Sequence, residues 1–416
     1  MNLLILSDNY YPEMNANARI FSELAELWAE QGQVVSVITC HPNFPKGKIF
    51  PGYKNKWLTT SILNHVKIIR VKTYMRPNHG LIRRTLDFIS FGLSAFFFGL
   101  WQSKPDMIIG VTPQFFCALS ACCLAIIKKV PFIMIVCDLW PDAVAASGFI
   151  KKNWIYKFIK KIELWMYHKA NSIIILSDYY RNYLNKLGIP DHKIVTSISG
   201  ASKEFYPRKK NPLLLADYHL SGKFVVGYIG TFGISHNHED IIAIAESLTK
   251  KNYNQIHFLM IGDGPKRKEL AEYLILNNIN NVTIDGPFPG KVIPEYWSLI
   301  NLAIIPLAPI ETNKMVLPSK IIEAMAMGIP VLFYGPNGEA RRFLSESGMG
   351  WFVMGGNKTH LEKLILSLAN DELQMSDQAH KSLNFAKNFS REKQAEELLT
   401  HLKLFNKQTT NFHEKN

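Results

Sequence analysis

Short apolar runs bounded by turn residues recur through the whole chain. They read as strands at Leu3–Leu6, Val34–Thr39, Val66–Val71, Met107–Val111, Phe132–Val136, Ser172–Leu176 and Ile194–Ile198. A second series follows at Phe224–Ile229, His257–Ile261, Val282–Asp285, Leu302–Pro306, Val331–Tyr334 and Gly350–Val353. Between them, helical spacing predicts Ala18–Gln31, Phe115–Ile127, Ile155–Lys169, Tyr179–Leu187, His238–Leu248, Lys266–Asn277 and Ile321–Met327, and later Arg391–Phe405. Runs that stay apolar predict strands buried on both faces, and strands separated by helices predict parallel sheets. The expected fold class is therefore α/β: two Rossmann-like, doubly wound parallel-sheet domains facing across a cleft. A basic, proline-containing stretch at Glu204–Asp217 reads as the junction. The expected division is 1–205 and 206–388, then a helix at 389–405 packing back toward the N-terminal domain and a flexible tail at 406–416. In such sheets ligands bind beyond the carboxyl ends of the strands.

One segment departs from this rhythm. Leu86–Trp101 is almost wholly apolar and follows Arg83 and Arg84. It is shorter than the ~20 residues of a bilayer span, and Asp87 interrupts it. Two readings stand: a helix buried against the sheet, or an interfacial helix among lipid headgroups. Lys151, Lys152, Lys157, Lys160 and Lys161 cluster on or before an amphipathic helix, as a solvated face or as a second lipid contact.

Composition adds bounds. At 416 residues the chain is too long for one compact core. Its net charge of +13 is uneven: residues 1–210 hold 27 Lys+Arg against 13 Asp+Glu, and residues 211–416 hold 20 against 21. A basic first half calls for an anionic partner. No zinc-finger spacing, arginine-rich tract or aromatic RNA-binding pattern accompanies it, so nucleic acid is not expected, whereas the anionic inner leaflet of a membrane is. The five cysteines, Cys40, Cys117, Cys122, Cys123 and Cys137, are odd in number and lack C-x-x-C or metal spacing, so reduced thiols are expected. Met1–Ser7 lacks the marks of a signal peptide and reads as a buried first strand, which sets the expected location as cytoplasmic and peripheral to the membrane. A homo-oligomer is compatible with the sequence, which does not decide the state.

Three predicted strands of the second half end in glycine turns: Gly230-Thr231-Phe232-Gly233, Gly262-Asp263-Gly264-Pro265 and Gly286-Pro287-Phe288. Each alone is an ordinary tight turn. Three at successive strand ends form a place where backbone amides approach a phosphate. Pro318 and Ser319 then open a short helix that closes at Gly328. Lys320 and Glu323, three apart, share a face near its start, where N–H groups and the dipole favour an anion. Glu323 is placed to accept from ribose hydroxyls; an ordinary surface ion pair is the alternative.

The order of these elements resembles the C-terminal domain of the family 4 glycosyltransferases, which have the GT-B fold, and the likeness covers nearly the whole chain. Asp8-Asn9-Tyr10-Tyr11-Pro12-Glu13 looks like the family's first loop. His41-Pro42-Asn43-Phe44-Pro45-Lys46-Gly47-Lys48 and Asp138-Leu139-Trp140-Pro141-Asp142 look like an amino-sugar transferase subgroup that builds bacterial O-antigen and capsular polysaccharides. Ser199-Gly200-Ala201-Ser202-Lys203-Glu204-Phe205-Tyr206-Pro207 is similar to the inter-domain segment. The resemblance implies a nucleoside diphosphate sugar donor on the second domain, an acceptor on the first, retention of anomeric configuration, and no metal or cofactor.

Residue by residue, Glu323 matches the second glutamate of the family's E-x7-E motif, which holds the donor ribose. Met315 stands where the first glutamate would address sugar hydroxyls, which implies a deoxy or N-acetylated sugar. Thr231 and Ser235 replace the arginine and lysine that usually grip the diphosphate. Lys320 is left as the principal cation, with amides at Gly233 and Ser319. His236 and His238 are nearby candidates, each taken alone reading first as a surface histidine. The implied donor set is Gly230, Thr231, Phe232, Gly233, Gly262, Asp263, Gly264, Pro287, Met315, Pro318, Ser319, Lys320 and Glu323. Cys137-Asp138 stands where many members have a histidine, so Asp138 is expected to orient the acceptor or take its proton, a structural aspartate being the alternative. Asp138, Lys320 and Glu323 form the expected catalytic set. Glu13, Asn15, Asn17, Arg19, Asp138 and Asp142 form the expected acceptor set. The first loop lacks the family's glycines, and Asn15 and Asn17 would tolerate positive φ there.

The expected function is a retaining transfer from a nucleoside diphosphate sugar, UDP-linked, to a polyprenyl-diphosphate-linked saccharide in O-antigen, capsule or exopolysaccharide synthesis. A nucleotide-sugar 2-epimerase and a degenerate nucleotide-binding scaffold share the same architecture and stand as alternatives.

Overall fold

A computed structural model describes all residues except 45, 76–80, 113, 143–144, 146–152 and 414–416. Pro45, Lys151 and Lys152 of the sequence motifs therefore lie outside the described residues. The chain forms two units: Met1–Ile198 together with Arg391–Asn416, and Ser199–Ser390.

The first unit holds β1 (Asn2–Leu6), β2 (Val34–Cys40), β3 (Leu58–Leu63), β4 (Val66–Val71), β5 (Met107–Val111), β6 (Phe132–Val136), β7 (Ser172–Ile175) and β8 (Ile194–Thr196). They lie in the order β3-β4-β2-β1-β5-β6-β7-β8. β5, β6 and β7 are buried along their whole length, as continuous apolar runs require. β3 is the departure. It pairs antiparallel with β4 at the sheet edge, and its mostly exposed Leu-Thr-Thr-Ser-Ile-Leu carries too little apolar pattern to announce it. Among the described residues before Ser199, its helices are α1 (Ala16–Glu30), α2 (Leu81–Leu100), α3 (Phe115–Lys128), α4 (Trp154–Lys169) and α5 (Asp178–Lys186).

The second unit holds α6 (Pro212–Asp217), β9 (Phe224–Thr231), α7 (His238–Lys250), β10 (Ile256–Asp263), α8 (Arg267–Leu276), β11 (Val282–Asp285), α9 (Ile293–Ser298), β12 (Leu302–Pro306), α10 (Ser319–Ala326), β13 (Val331–Gly335), α11 (Glu339–Ser347), β14 (Trp351–Met354), α12 (Lys358–Ala369) and α13 (Glu372–Ala386). Its sheet is wholly parallel, in the order β11-β10-β9-β12-β13-β14.

The unit boundaries differ from the expected junction. The second unit begins at Ser199, where Ala201 N–H donates to the Phe389 carbonyl at 2.7 Å. The stretch expected as linker is folded into this unit: Arg208 pairs with Glu295, Lys210 donates to the Asn301 side chain at 2.9 Å, and 212–217 is helical. Arg208 and Lys210 have partners, which composition does not reveal. The expected tail is also revised: α14 (Arg391–His413) continues past Phe405, because no glycine or proline interrupts the polar residues that follow.

α14 belongs to the first unit. Its Ala395, Leu398, Leu399 and Leu402 enter the same core as Leu3, Ile5, Val37, Ile109 and Phe21. Trp28 Nε1 of α1 donates to the Ala395 carbonyl at 2.9 Å, and Arg391 pairs with Glu23 at 3.0 Å.

α2 packs one face against the protein, as the buried reading expects, and leaves an apolar stripe on the other. Phe91 and Ala95 are buried, and Gly92 and Gly99 press so closely on α3 that added Cβ atoms would lie 2.8 Å from Phe116 Cβ and 2.5 Å from Leu124 Cδ1. Leu86, Leu93, Phe97 and Trp101 form the opposite stripe and are exposed, Trp101 to 81%. Among the described residues no helix is long and apolar enough to cross a membrane.

Candidate donor and acceptor sites

The glycine turns of the second unit meet side by side because β11, β10 and β9 are neighbours. Gly230 stands opposite Gly262 in the β9–β10 register, and Gly286 packs against the Gly262 amide. A Cβ at Gly262 would lie 1.8 Å from the Gly230 carbonyl oxygen, so this row admits no side chain. The strand ends thus form a bare backbone shelf at the edge where such sheets bind ligands. Lys320 lies across it. A Cβ on Gly230 would fall 1.9 Å from Lys320 Cε and 2.9 Å from its Nζ. The glycine is the space through which the lysine reaches the shelf.

Lys320 is delivered by the first turn of α10. Pro318 caps this helix and, having no side-chain oxygen, makes no side-chain hydrogen bond to it. Glu323, one turn on, is 8% exposed. Met315 ends the 3-10 turn Glu311–Met315 and is half-buried. Asn313 of that turn, not anticipated from sequence, donates from Nδ2 to the carbonyls of Ser235 (3.1 Å) and Ala308 (2.8 Å). It fastens the Thr231–Asn237 loop to the end of β12. A lone asparagine in a loop gives no sequence signal for such a clasp.

The other donor-set residues separate into two groups. Gly233, Gly264 and Asp263 belong to the shelf, with Gly264 N–H donating to the Asp263 carboxylate at 2.9 Å. Pro287 is exposed and follows a cis peptide bond, and Thr231 is exposed at the end of β9. Phe232 is corrected: its ring is fully buried in the core of the unit, so only its backbone borders the shelf, donating to the Asp263 carbonyl at 2.9 Å. The histidines are also corrected. His238 is fully buried and His236 mostly so, and their rings stack 5.4 Å apart. Loss of solvent, then Lys320, then His238 hold His236 down to about 3; loss of solvent also lowers His238, to about 4.

In the first unit the acceptor set is only partly available. Asn15 caps α1, accepting from Ala18 N–H at 2.8 Å with φ −71°, so no positive φ is used there. Asn17 and Arg19 sit half-buried on the first turn of α1. Glu13 is buried, and its Oε1 accepts from the N–H groups of Asn43 (2.7 Å) and Phe44 (2.9 Å), which ties the His41–Lys48 motif to the first loop. Arg70, absent from the sequence reading, donates to the Cys40 carbonyl at 2.9 Å and supports the same loops. Asp142 is engaged: Lys160 and Tyr183 donate to it at 2.6 Å and Tyr156 donates as well. Burial opposes its charge, but these bonds outweigh it and hold the carboxyl below its usual range. Lys160 bridges to buried Glu163 and so leaves the expected lipid-facing cluster.

Asp138 is exposed at the end of β6, yet protein surrounds it densely enough that desolvation pushes its carboxyl up to about 6. Asp8 follows β1. Loss of solvent, then Glu13, then Asp87 raise it to about 7. Asp87, on α2, is raised to about 7 by loss of solvent and Glu13. Asp8 stands at the carboxyl end of the first strand, a position that sequence could have flagged.

A model of the glycosyl transferases group 1 matches residues 217–384, and one of glycosyltransferase family 4 matches residues 18–197. The WcaI protein of Escherichia coli (strain K12), named for glycosyl transfer in colanic acid biosynthesis, is 24% identical over 343 residues, 79% of this chain and 82% of that protein. TuaH of Bacillus subtilis (strain 168), named for teichuronic acid biosynthesis, is 27% identical over 47% of this chain and 48% of its own. Among solved structures, sucrose-phosphate synthase from Thermosynechococcus elongatus superposes with a TM-score of 0.75 at 16% identity, covering 97% of this chain and 99% of the other. Anabaena Alr3699/HepE in complex with UDP and glucose gives 0.72 at 15% identity, covering 97% and 99%.

Proposed function

The chain belongs to the family 4 glycosyltransferases of the GT-B fold, and on that premise we propose that it moves a sugar from a nucleoside diphosphate, UDP first among them, to a polyprenyl-diphosphate-linked saccharide with retention of configuration. The product feeds bacterial O-antigen, capsule or exopolysaccharide synthesis, and neither metal nor cofactor takes part. The observation that carries this reading is Lys320 lying across the glycine shelf at the start of α10.

In this reading the diphosphate lies on the shelf, and Lys320 with the α10 N–H groups stabilises the charge that grows as the sugar departs. Glu323 accepts from the ribose hydroxyls. Apolar Met315 faces a sugar position without a hydroxyl to satisfy, which favours a deoxy or N-acetylated sugar. Asp138, poised near neutrality, orients the acceptor hydroxyl and holds its proton while the departing phosphate assists. The exposed α2 stripe and the exposed Lys157 and Lys161 of α4 rest on the anionic cytoplasmic leaflet, where a lipid-linked acceptor resides.

The test is transfer of labelled sugar from UDP-, GDP-, dTDP- and ADP-linked donors to a bacterial lipid extract. One donor is expected to label the lipid, with Lys320→Ala slowing turnover roughly 100-fold. No transfer from any donor sinks the proposal, and an altered free sugar nucleotide formed without acceptor would favour an epimerase instead.

A further inference from the structure

Two buried imidazoles beside Lys320 need an explanation. Neither His238 ring nitrogen has a hydrogen-bond partner within the protein, and neither does His236 Nδ1, although all three atoms are buried. Leaving buried polar atoms unpaired costs about 1–3 kcal/mol each, so groups of them mark places where a partner arrives. The pair is fixed in place. His236 N–H donates to the Gly233 carbonyl at 3.1 Å in a tight turn, which sets Nδ1 3.1 Å from where a Gly233 Cβ would stand. His238 is wedged against Phe232 and Tyr228, whose hydroxyl donates to the Thr231 carbonyl at 2.7 Å. The His236 ring thus borders the shelf at Gly233, with His238 stacked on it from the core, on the side where Thr231 and Ser235 supply no charge.

We propose that His236 is a ligand of the donor's diphosphate, donating to it alongside Lys320 and completing with an imidazole the grip that a second cation would otherwise provide. This deepens the preceding proposal and rests on it. An anion on the shelf changes the balance around the ring. The groups that face it are Lys320 from α10, His238 from α7 and Tyr228 from β9, while Glu239, which pairs with Lys266 at 3.0 Å, acts on His238. Within the protein itself, loss of solvent, then Lys320, then His238 favour the neutral imidazole. A diphosphate supplies the opposite charge and draws a proton onto it, converting one donor into two. Binding is therefore accompanied by proton uptake, and the transferred charge answers the leaving group without a second fixed cation.

The experiment is calorimetry of UDP binding to the full chain near pH 7, in buffers of low and high ionisation enthalpy, for the wild type and His236→Gln. The difference between the two proteins cancels the titration of UDP itself. The wild type is expected to take up more protons than the variant and to bind UDP about tenfold more tightly. Should the variant misfold by circular dichroism, the histidine Cε1–H resonances of the wild type decide: one moves to the imidazolium position on adding UDP. Equal proton counts and affinities, or histidine resonances unmoved by bound UDP, overturn the role of His236 while leaving the donor site standing. Failure of UDP, GDP, dTDP and ADP alike to bind overturns both proposals.

Discussion

At the scale of single residues, neighbouring glycines of the shelf have different jobs, and substitution separates them. An added Cβ at Gly230 meets the end of the flexible Lys320 side chain and, at 2.9 Å, the hydroxyl of buried Tyr228, whereas one at Gly262 meets the fixed Gly230 backbone. Gly230→Ala should therefore lose less Tm than Gly262→Ala but weaken UDP binding roughly tenfold by displacing Lys320. Gly262→Ala should lower stability by about 2 kcal/mol or more, read as a fall in the denaturation midpoint. Asp8 offers a test of a different kind. Its carboxyl is raised to about 7 when folded, so the fold favours the protonated form. That contribution is complete below the unfolded value near 3.8 and is lost as pH rises through 7. Asp8→Asn should stabilise the fold, read as a higher denaturation midpoint, by an amount that grows between pH 4 and 7 and then levels, on the order of 1–3 kcal/mol at pH 8.

At the scale of elements, strands buried on both faces were legible because β5, β6, β7, β12 and β13 have no polar face to confuse the pattern. β3 was not, being a polar edge strand whose identity comes from pairing with β4. The shelf could be read from glycines at successive strand ends, since only their absence of side chains permits the register. The burial of Phe232 and His238 could not, because it depends on how α7 packs against β9. α2 shows the limit of reading hydrophobicity alone: composition called it buried or interfacial, and only Gly92 and Gly99 against α3 reveal which face is which. Its outer stripe predicts co-sedimentation with vesicles containing anionic phosphatidylglycerol. Phe97→Glu with Trp101→Glu should abolish that binding with Tm retained, and binding equal to wild type would remove lipid from the account.

At the scale of the molecule, the first unit is built from both ends of the chain. Removing residues 391–416 strips Leu398, Leu399 and Leu402 from its core and breaks the Trp28–Ala395 and Arg391–Glu23 contacts. Losing one such leucine typically costs about 2–5 kcal/mol. The truncated chain should show a urea transition in which the first unit unfolds at much lower denaturant while the second keeps its midpoint. A single unchanged transition would contradict this. The same arrangement constrains synthesis. While the ribosome is translating Ser199–Ser390, the first half waits without the helix that closes its core. Elongation at about 5–20 residues per second makes that wait on the order of 10–40 s. Throughout it the nascent chain exposes a hydrophobic seat shaped for its own last helix, so chaperones have a defined window and a premature stop codon leaves the seat unfilled.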